Sequence, residues 1–538
     1  LISLTDPTQY LSFPLFNEFF ITSDGLSRFS YNQLIVFSGG LVAAVTVLKN
    51  IYSFFFKYSS ARITNAIMGE LVTKVLSNYL YSPYTWFINK DQSELLFNIQ
   101  SRVQGERFLL SYFQLFSDVI ILVIISVPLF LQSPNLPLIV FFVVVVPLVL
   151  LLSQFIRNGV ERVAQEVRRV HISVLDNAKS VIASLKEILS YNSQAYFVKR
   201  FMRSVRRDIP VRSKQEVLVY LPAWIVESIA FLFLFIFLLF IASNQDLSTT
   251  SIIGNLSIIA AASWKIIPIL NRIMRSAGQI KTNNPSVEAI CDHLSLPVMT
   301  KNSQRRSPLE SIKFNDVSYF YPDSNNLSLT NISFSILKGE MIGIIGHSGA
   351  GKTTLIDILT GLLTPTSGSI ELNGTTLNGH ISESVNMGYV SQFPYLFTDS
   401  LVENVSFGRN AKADYVVKEL FRKVDLVSHP VIDEQFHING NGINLSGGER
   451  QRIAIMRSLY TDPELLIFDE ATSSLDSKSE NSIIKTIDKI KGSVTIIMIA
   501  HRLSTVENCD RLIWLERGLI KKIGLPSEII DQYSRYEI

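Results

Sequence analysis

The chain has 538 residues, of which 47% are hydrophobic and 18% are charged. This length exceeds that of one ordinary domain, and the net charge of +3 does not indicate a nucleic-acid partner. The apolar residues concentrate before residue 275, which favours membrane-spanning helices over one large soluble core.

The segment Leu1–Asn32 precedes the first long apolar stretch and contains the aromatic, amphipathic run Pro7–Ile21. Two interpretations of this run stay open. It is compatible with a short helix that lies in the outer membrane interface, and equally with an ordinary loop on that side.

Five stretches are apolar and long enough to cross a bilayer of about 30 Å, which takes roughly 20 helical residues. The alternative, a set of buried helices in a soluble protein, is disfavoured by runs such as FFVVVVPLVLLL. Because lipid cannot satisfy an exposed backbone, we expect helices. The predicted spans are Leu34–Phe56, Phe113–Leu131, Leu136–Ile156, Val219–Ala242 and Ser251–Met274.

The distribution of Lys and Arg predicts the orientation of these spans. Residues 157–216 hold thirteen Lys or Arg residues, whereas the short connections 132–135 and 243–250 hold none. The long basic segments are therefore expected in the cytoplasm and the short connections outside. This places the N-terminal segment outside and the C-terminal half of the chain inside.

The composition divides the chain into three parts. Residues 1–281 are predicted to form a transmembrane domain, in which Lys57–Ser111 and Arg157–Val217 extend the membrane helices into the cytosol. Residues 282–308 turn polar, as a linker does. In residues 309–538, short β-rich runs alternate with helical patterns, which predicts an α/β domain with a largely parallel sheet.

A glycine-rich loop follows the apolar strand MIGII and precedes the helical run TLIDILTGLL, which is the context of a phosphate-binding P-loop. Glycines let backbone N–H groups close around phosphate oxygens, and the following helix adds its positive N-terminal end. Lys352 is expected to reach the β- and γ-phosphates, and the Thr353 hydroxyl to ligate Mg²⁺. The predicted nucleotide-binding residues here are Gly346, His347, Ser348, Gly349, Ala350, Gly351, Lys352, Thr353 and Thr354.

A second buried strand, LLIF, ends in two adjacent carboxylates. Neighbouring residues on a strand point in opposite directions, so Asp469 and Glu470 cannot share one role. Asp469 is predicted to hold Mg²⁺, and Glu470 to orient and deprotonate the attacking water.

Given these two motifs, the sequence resembles the ABC transporter family. Leu445–Glu449 is similar to the family signature, which the resemblance implies would cap, through Ser446, Gly447 and Gly448, the ATP held by the P-loop of a second domain. A small Ser and two Gly before a helix suit another anion-binding N-terminus. The run Asn439–Gly442 lacks the acidic residue that exporters often carry there, which puts in doubt the usual contact with the membrane-domain loops.

The resemblance extends to four further positions. It implies that Gln392 senses Mg²⁺ and water, that Tyr321 stacks on adenine, that His501 contacts the γ-phosphate, and that Ser473–Asp476 joins two active sites. Single residues of these types are more often structural, but their order and spacing match the family together. The predicted catalytic set is therefore Glu470, His501, Gln392 and Lys352, with ATP and Mg²⁺ as cofactors and Thr353, Gln392 and Asp469 as Mg²⁺ ligands.

A membrane domain fused ahead of one nucleotide domain resembles the exporter arrangement, which has six spans per half. Five are visible, so the resemblance implies a further span before Leu1. Because ATP would sit between two nucleotide domains, a dimer is expected, most simply of two identical chains. Cys291 and Cys509 are expected to be free thiols.

The cargo prediction depends on the last two spans. The segments Leu221–Glu227 and Ser263–Ile273 resemble those of lipid-linked oligosaccharide flippases. Charge in the hydrocarbon region is costly and usually faces a cavity or partner, so Lys49, Lys265 and Arg272 are candidate contacts to an anionic lipid-linked substrate. For Lys49 and Arg272, snorkelling to the inner interface is an equal alternative. Glu227 is either the counter-charge of Lys265 or an independent polar contact.

Two other functions remain as alternatives. A general lipid, peptide or drug exporter would share the same architecture. An ATP-gated channel or regulator is a different class, which Glu470 and His501 disfavour because a gate need not hydrolyse ATP efficiently. We therefore expect an ATP-hydrolysing, multi-pass protein of the inner (cytoplasmic) membrane that flips a polyprenyl-linked oligosaccharide, with its nucleotide domain in the cytoplasm.

Overall fold

The structure is a computed structural model, and it describes residues 31–132, 136–243, 249–299, 307–321, 327–377, 379–410, 414–424, 426, 436–471, 477–500 and 502–536. The predicted interfacial run Pro7–Ile21 lies outside these ranges. Most residues of the two short outer connections, 132–135 and 243–250, also lie outside them. The chain forms two compact units. The first comprises residues up to Ser82 together with Asn89–Val298, and the second comprises Pro83–Ile88 together with Met299–Ile538.

Long helices build the described part of the first unit. In chain order the helices up to residue 294 are α1 Tyr31–Tyr81, α2 Tyr84–Ile88 (which belongs to the second unit), α3 Gln92–Gln100, α4 Arg102–Gln132, α5 Leu136–Ala183, α6 Leu185–Ser190, α7 Gln194–Ser243 and α8 Thr249–Leu294. Each predicted span lies inside one of α1, α4, α5, α7 and α8. Helix α8 packs against α4, α5 and α7. It continues to Leu294, so residues 282–294 of the predicted linker are helical.

The apolar surface of these helices argues against a soluble core. Within the part of the chain whose side chains are described, Gly39–Tyr81 and Gln92–Ser126 are apolar and long enough to cross a membrane. In the most apolar 18-residue stretch of each segment, the buried share is 0% and 6%, respectively. A core helix of a soluble protein would bury this surface. Large side chains such as Phe54 and Phe55 are instead exposed, which suits contact with lipid.

Polar contacts tie the helical extensions together within the first unit. The Asn78 amide of α1 donates to the carbonyl oxygens of His293 and Leu294 in α8, at 3.2 and 2.9 Å. The Arg168 guanidinium of α5 donates to the Glu94 carboxylate and the Asn98 amide oxygen of α3, at 3.2 and 2.9 Å. These contacts join α1 to α8 and α3 to α5, and the Asn98 amide nitrogen, 3.3 Å from His293 Nε2, joins the two pairs.

The second unit contains two larger sheets and a two-stranded ribbon. Its elements are β1 Ser311–Phe320, β2 Leu327–Leu337, β3 Met341–Ile345, α9 Lys352–Thr360, β4 Ser367–Leu372, β5 Thr375–Thr376, α10 Ile381–Ser384, β6 Met387–Val390, β7 Asp399–Ser400, α11 Leu401–Ser406, α12 Asp414–Lys423, β8 His437–Ile438, α13 Gly447–Leu459, β9 Leu465–Asp469, α14 Ser477–Asp488, β10 Thr495–Ile499, β11 Arg511–Glu516, β12 Leu519–Gly524 and α15 Pro526–Tyr536. Short 3-10 turns cover Gly440–Gly442 and Leu503–Thr505.

The main sheet has the order β12-β11-β3-β10-β9-β6, and all its pairs are parallel except β11 with β12. This confirms the predicted α/β domain with a largely parallel sheet. Strands β3 and β10 are buried at every position, as expected for strands covered on both faces. One apolar cluster packs α13, α14 and α15 against this sheet. A second cluster packs α9 and the antiparallel sheet β2-β1-β4-β5 against it.

The sheet topology determines where a ligand can bind. In a parallel sheet the carboxyl ends of all strands meet at one edge, and ligands of open α/β sheets bind there. The predicted P-loop follows β3, Asp469 and Glu470 lie at the end of β9, and Gln392 follows β6. The fold therefore gathers at one edge three motifs that lie far apart in the sequence.

Candidate functional site

The loop between β3 and α9 has a backbone that requires glycine at two positions. Gly346 has φ +154°, and a Cβ there would lie 2.3 Å from the Leu515 carbonyl oxygen. Gly351 has φ +99°, and its Cβ would lie 2.7 Å from the Ser328 carbonyl oxygen. Other residues at these positions would force the loop open, because L-residues rarely adopt such φ angles. The glycines thus let the loop turn directly into the N-terminus of α9.

Lys352 is the first residue of α9, and it is only 5% exposed. Its Nζ donates to the carbonyl oxygens of Gly346 and His347, at 2.6 and 3.2 Å. Burial lowers the pKa of Lys352, whereas the neighbouring Glu470 and Asp469 carboxylates act in the opposite direction. The ammonium group is therefore held inside the P-loop, where phosphate oxygens would meet it.

Asp469 ends β9, and one of its carboxylate oxygens is already engaged. Oδ2 accepts a hydrogen bond of 2.8 Å from the Tyr389 hydroxyl of the neighbouring strand β6. Burial raises the pKa of Asp469, although the Tyr389 hydrogen bond and the Lys352 charge oppose this shift. The hydrogen bond fixes the orientation of the carboxylate and leaves Oδ1 for another partner.

Glu470 occupies a strained position just beyond β9. Its φ of +50° lies in the left-handed region that residues other than glycine rarely adopt, and such strain concentrates at functional sites. Its N–H donates to the Ile499 carbonyl oxygen at 3.2 Å, and its Oε2 accepts from Gln392 Nε2 at 2.8 Å. The backbone and the Gln392 amide together hold the Glu470 carboxylate in place.

A further acid lies on α9, one turn beyond the P-loop. Burial, with a smaller contribution from the Asp469 charge, raises the pKa of Asp357 to about 6. The sequence pattern did not single out this residue. One cause of its shift, the Asp469 charge, lies on β9 and is distant in the sequence, so only the fold brings the two acids near each other.

A cavity of 770 Å³ opens at this sheet edge. It brings together nine of the predicted residues, namely Tyr321, Ser348, Gly349, Gly351, Lys352, Thr353, Thr354, Gln392 and Glu470. Of the other predicted P-loop residues, Gly346, His347 and Ala350 shape the loop without lining the cavity. Asp469 lies at the end of the neighbouring strand. The volume falls in the range of small-molecule and cofactor sites.

Four further residues line the cavity, and sequence reasoning missed them: Leu327, Ser328, Arg517 and Gly518. The hairpin between β11 and β12 brings Gly518 next to the loop, where its N–H donates to the Ala350 carbonyl oxygen at 3.1 Å. From the local sequence, Arg517-Gly518 predicts a turn and gives no indication of a binding site. Only the sheet order places it beside the P-loop.

Tyr321 lines the same cavity, as expected of an adenine-stacking ring. Its hydroxyl lies 3.2 Å from Thr354 Oγ1, and its ring packs edge-on against Tyr319 with centroids 5.1 Å apart. These contacts hold the ring at the cavity wall. The stacking role itself stays a prediction.

The signature segment begins helix α13, and Ser446 is its N-cap. Ser446 Oγ accepts from the Glu449 N–H at 3.3 Å, and the Glu449 carboxylate accepts from the Ser446 N–H at 2.6 Å. This reciprocal capping box orients the exposed residues Ser446 and Gly447. Within the described part of this chain, Ser446, Gly447 and Gly448 do not line the cavity, so one copy does not bring the signature to its own P-loop.

Two predicted elements fall outside the described residues. These are His501, the predicted switch histidine, and Ser473–Asp476, the predicted connection between active sites. Their roles stay predictions. Cys291 is a free, exposed thiol and Cys509 is free and buried, as expected. Burial raises the pKa of Cys509 to about 12, so it is unreactive at neutral pH.

The structure does not group the three basic residues of the membrane domain as one set. Arg272 pairs with the buried Asp118 carboxylate of α4, with Nε and a terminal nitrogen both 2.9 Å from Oδ1. Lys49 and Lys265 are exposed. Glu227 accepts from the Asn271 amide at 3.3 Å and forms no ion pair with Lys265 in this described region, which favours the independent polar contact.

Comparison with known proteins identifies both units. Residues 1–265 match the family model described as ABC transporter transmembrane region, and residues 329–473 match the model described as ABC transporter. Together these matches cover most of the chain, in the order expected for a membrane domain fused ahead of a nucleotide domain.

Similar curated proteins carry the name ATP-dependent lipid A-core flippase. The protein of Alkalilimnicola ehrlichii is 32% identical over 399 residues, which are 69% of this chain and 64% of that protein. The protein of Thiobacillus denitrificans is 28% identical over an alignment of 563 positions, gaps included, which covers 100% of this chain and 93% of the relative.

The fold has a solved counterpart. A structure described as a bacterial Atm1-family ABC exporter with ATP bound superposes with a TM-score of 0.80, at 21% sequence identity, covering 99% of this chain and 93% of the other. The two family models and the similarity to ATP-dependent flippases together show that the chain belongs to the ABC transporter family, as a multi-pass exporter of the inner membrane whose cytoplasmic domain hydrolyses ATP to drive transport.

Proposed function

We propose that the exporter flips an anionic lipid-linked substrate, specifically a polyprenyl-linked oligosaccharide, from the inner to the outer leaflet. The observation that carries this proposal is the full-length similarity to relatives whose name specifies a lipid cargo. The resemblance of Leu221–Glu227 and Ser263–Ile273 to lipid-linked oligosaccharide flippases supports the finer assignment.

The cavity geometry supports the following division of roles. The Lys352 ammonium, held at the P-loop carbonyls, would pair with the β- and γ-phosphates of ATP. The Glu470 carboxylate, fixed by Gln392 and by its strained backbone, would take a proton from the attacking water. The Tyr321 ring at the cavity wall would stack on adenine.

The residues present fit a magnesium ion. Mg²⁺ in nucleotide sites uses one or two carboxylates together with substrate phosphates, and Asp469 keeps one carboxylate oxygen outside its bond to Tyr389. The Thr353 hydroxyl and the Gln392 amide oxygen complete an all-oxygen donor set. Among the described residues there is no cluster of three His, Cys, Asp or Glu that would suit a different, protein-caged metal. An ion held by Asp469, Thr353 and Gln392 would supply positive charge that offsets the negative charge of the ATP phosphates.

Two copies of the chain are proposed to act together as a homodimer. The signature residues Ser446–Gly448 do not line the cavity of their own chain. In the proposed arrangement, the N-terminus of α13 in one copy covers the ATP held by the P-loop of the other copy. Closure of that pair would move the helices of the membrane domain, and hydrolysis would reset them.

The alternatives predict different responses in vesicles that contain the full chain. A labelled polyprenyl-diphosphate oligosaccharide should stimulate ATP hydrolysis and move to the outer face in an ATP-dependent way. Glu470→Gln should bind ATP but lower hydrolysis by about 10²–10⁴-fold and stop transport, because the general base is removed.

Other outcomes would contradict this function. Stimulation by apolar drugs and not by the glycolipid would identify a general exporter. Substrate passage that persists in Glu470→Gln with ATP bound would identify a channel or regulator. The double variant Lys265→Ala with Arg272→Ala is a poor test of cargo, because removal of the Arg272 side chain would leave the buried Asp118 without its partner.

A further inference from the structure

The turn between β11 and β12 brings a charged side chain to the nucleotide cavity. Its two central residues are Arg517 and Gly518, since Glu516 and Leu519 form the closing pair of the two strands. Both central residues line the 770 Å³ cavity beside the P-loop. Neither belongs to the predicted ATP motifs. The turn therefore adds a cationic group to the cavity from an element that has no assigned role.

Backbone hydrogen bonds hold this turn against the P-loop and β2. The Gly518 N–H donates to the Ala350 carbonyl oxygen at 3.1 Å, and the Gly518 carbonyl oxygen accepts from the Thr330 N–H at 2.7 Å. Ala350 belongs to the P-loop, and β2 begins with Leu327, which also lines the cavity. The fold therefore carries Arg517 to the cavity on a turn that is anchored on two sides.

Arg517 has an unusual backbone conformation. Its φ of +48° lies in the left-handed region. Eight described residues other than glycine have a positive φ, and five of them are Asn or Asp, which tolerate this region best. The other three are Phe407, Glu470 and Arg517, of which the last two line the cavity. Two-residue hairpin turns of this kind favour Asn-Gly or Asp-Gly, so an arginine here carries a conformational cost, and such strain concentrates at functional sites.

The Arg517 guanidinium is available to a ligand. The side chain is exposed, and within the described residues it forms no ion pair and donates no hydrogen bond. The neighbouring Glu516 carboxylate is instead engaged by Lys521 Nζ at 2.6 Å and by the Tyr536 hydroxyl at 2.5 Å. These two hydrogen bonds lower the pKa of Glu516, and the Arg517 charge contributes less. The nearest acid along the chain therefore does not hold the guanidinium.

The charged residues of the cavity suit contacts at two places on a polyphosphate. Among the described residues that line it, the charged side chains are Lys352, Glu470 and Arg517. Lys352 is proposed to meet the β- and γ-phosphates, and the Tyr321 ring is proposed to meet adenine. The ribose and the α-phosphate of ATP lie between these two ends. A guanidinium offers a planar pair of donors that matches phosphate oxygens.

We infer that Arg517 binds the α-phosphate of the nucleotide and contributes equally to the affinity for ATP and for ADP. The inference rests on the division of roles proposed for the ATP site and is independent of the cargo. The α-phosphate is not transferred in hydrolysis, so this contact stabilises the bound nucleotide and the transition state alike. Arg517 is therefore a binding residue, and its removal should act on KM and not on kcat.

The test uses the full chain in phosphatidylcholine nanodiscs and measures nucleotide binding without Mg²⁺, so that ATP is not hydrolysed. Arg517→Asn should bind ATP and ADP each about tenfold more weakly than the parent, the loss expected for one charge-assisted contact. Arg517→Lys keeps the charge without the planar pair of donors, so its affinity should lie between those two. Arg535→Asn removes the same charge from the exposed last turn of α15, outside the cavity lining, and should bind like the parent.

Thermal unfolding separates binding from folding in these variants. Asn-Gly is a favoured sequence for this turn, so nucleotide-free Arg517→Asn should have a thermal midpoint at least as high as that of the parent. A given concentration of ATP should then raise the midpoint less in the variant. Weaker ATP binding together with a lower nucleotide-free midpoint would contradict the inference, because damage to the turn would explain the loss.

The choice of nucleotide tests the position of the contact. Weaker binding of ATP with unchanged binding of ADP would place the guanidinium at the γ-phosphate and overturn the assignment. A changed preference for ATP over GTP would place it at the base and would also overturn it. In the presence of Mg²⁺, kcat/KM of Arg517→Asn should fall about tenfold through KM. A fall through kcat instead would contradict a contact made equally before and during hydrolysis.

A parallel variant distinguishes failure of this inference from failure of the proposed roles. Tyr321→Ala should weaken ATP binding through loss of the proposed adenine contact. If Arg517→Asn binds ATP like the parent while Tyr321→Ala binds it more weakly, only the inference on Arg517 fails. If neither variant changes the affinity, the proposed placement of ATP in this cavity fails as well.

Discussion

At the scale of single residues, two carboxyl groups near the P-loop have raised pKa values. Burial raises the pKa of both Asp357 and Asp469, and the charge of a neighbouring carboxylate adds to the shift at each. Crowded carboxyl groups in a partly buried site favour their protonated forms. A carboxylate in an ion pair has a lowered pKa. Here the pKa is raised instead, because the surroundings destabilise the charged form.

Asp357 makes this effect measurable. Its pKa is 3.8 in the unfolded chain and about 6 in the folded one. Between these values the folded state binds more protons, so stability falls as pH rises from about 4 to about 6 and is level above that. Asp357→Asn removes this fall in stability. We expect it to exceed the parent in stability by about 1–2 kcal/mol at about pH 7.5, after allowing for solvent screening, and to match it near pH 4.

Thermal unfolding of the full chain in detergent at several pH values measures this difference. Asp531→Asn, an exposed acid on α15, is the control and should shift no midpoint. A difference between Asp357→Asn and the parent that stays constant from about pH 4 to about pH 7.5 would exclude titration of Asp357 as its cause.

At the scale of secondary-structure elements, the start of α13 combines two tasks. Its capping box satisfies backbone donors of the first turn, and the same turn presents Ser446 and Gly447 to solvent. A helix N-terminus with unpaired N–H groups favours an anion. The cap therefore stabilises the helix and also prepares the surface that is proposed to cover a neighbouring ATP.

Removal of the cap from a second helix distinguishes helix stabilisation by Ser446 from its proposed contact with ATP. Ser446→Ala should cost about 1 kcal/mol by removal of the cap and should also lower ATP hydrolysis. Ser400→Ala removes the equivalent cap of α11, where Ser400 Oγ accepts from the Glu403 N–H at 3.2 Å. It should lower the thermal midpoint of the full chain similarly but leave hydrolysis near that of the parent. An equal decrease of hydrolysis in both variants would show that Ser446 acts only through folding.

At the scale of the whole molecule, the proposed catalytic arrangement would need residues from two chains. The described cavity contains the P-loop, Gln392 and Glu470, whereas the signature residues do not line it. Hydrolysis should therefore depend on the meeting of two copies. The thiols offer a direct probe, because Cys291 is exposed while Cys509 is buried and unreactive.

Energy transfer between copies labelled at Cys291 tests this dependence. Donor- and acceptor-labelled chains of Glu470→Gln, mixed in nanodiscs, should show transfer that increases when ATP is added, since ATP would be trapped between closed domains. Cys291→Ser chains taken through the same labelling should show none. ATP hydrolysis by the parent without any transfer between labelled copies would mean that one chain suffices.

The sequence predicts those parts of the fold that depend on local sequence patterns. The P-loop, the Asp469-Glu470 pair and the cap at Ser446 each need only a few neighbouring residues, and the five spans need only continuous apolar runs. Arg517 and the Asp118–Arg272 pair could not be predicted in this way. The place of Arg517 at the cavity and the pairing of Arg272, itself predicted as a charged residue of a span, with Asp118 depend on contacts between segments that are distant in the chain.

The adjacency of β6 and β9 has one more consequence. The Tyr389 hydroxyl donates to Asp469, and three residues later the Gln392 amide donates to Glu470, so two side-chain bonds join the neighbouring strands at their carboxyl ends. A pull on the loop that carries Gln392 would break the second bond while the first stays intact. Glu470 would then lose the contact that holds its carboxylate in place while Asp469 remained anchored, so tension on this one loop would slow bond cleavage and leave the proposed Mg²⁺ ligand in position.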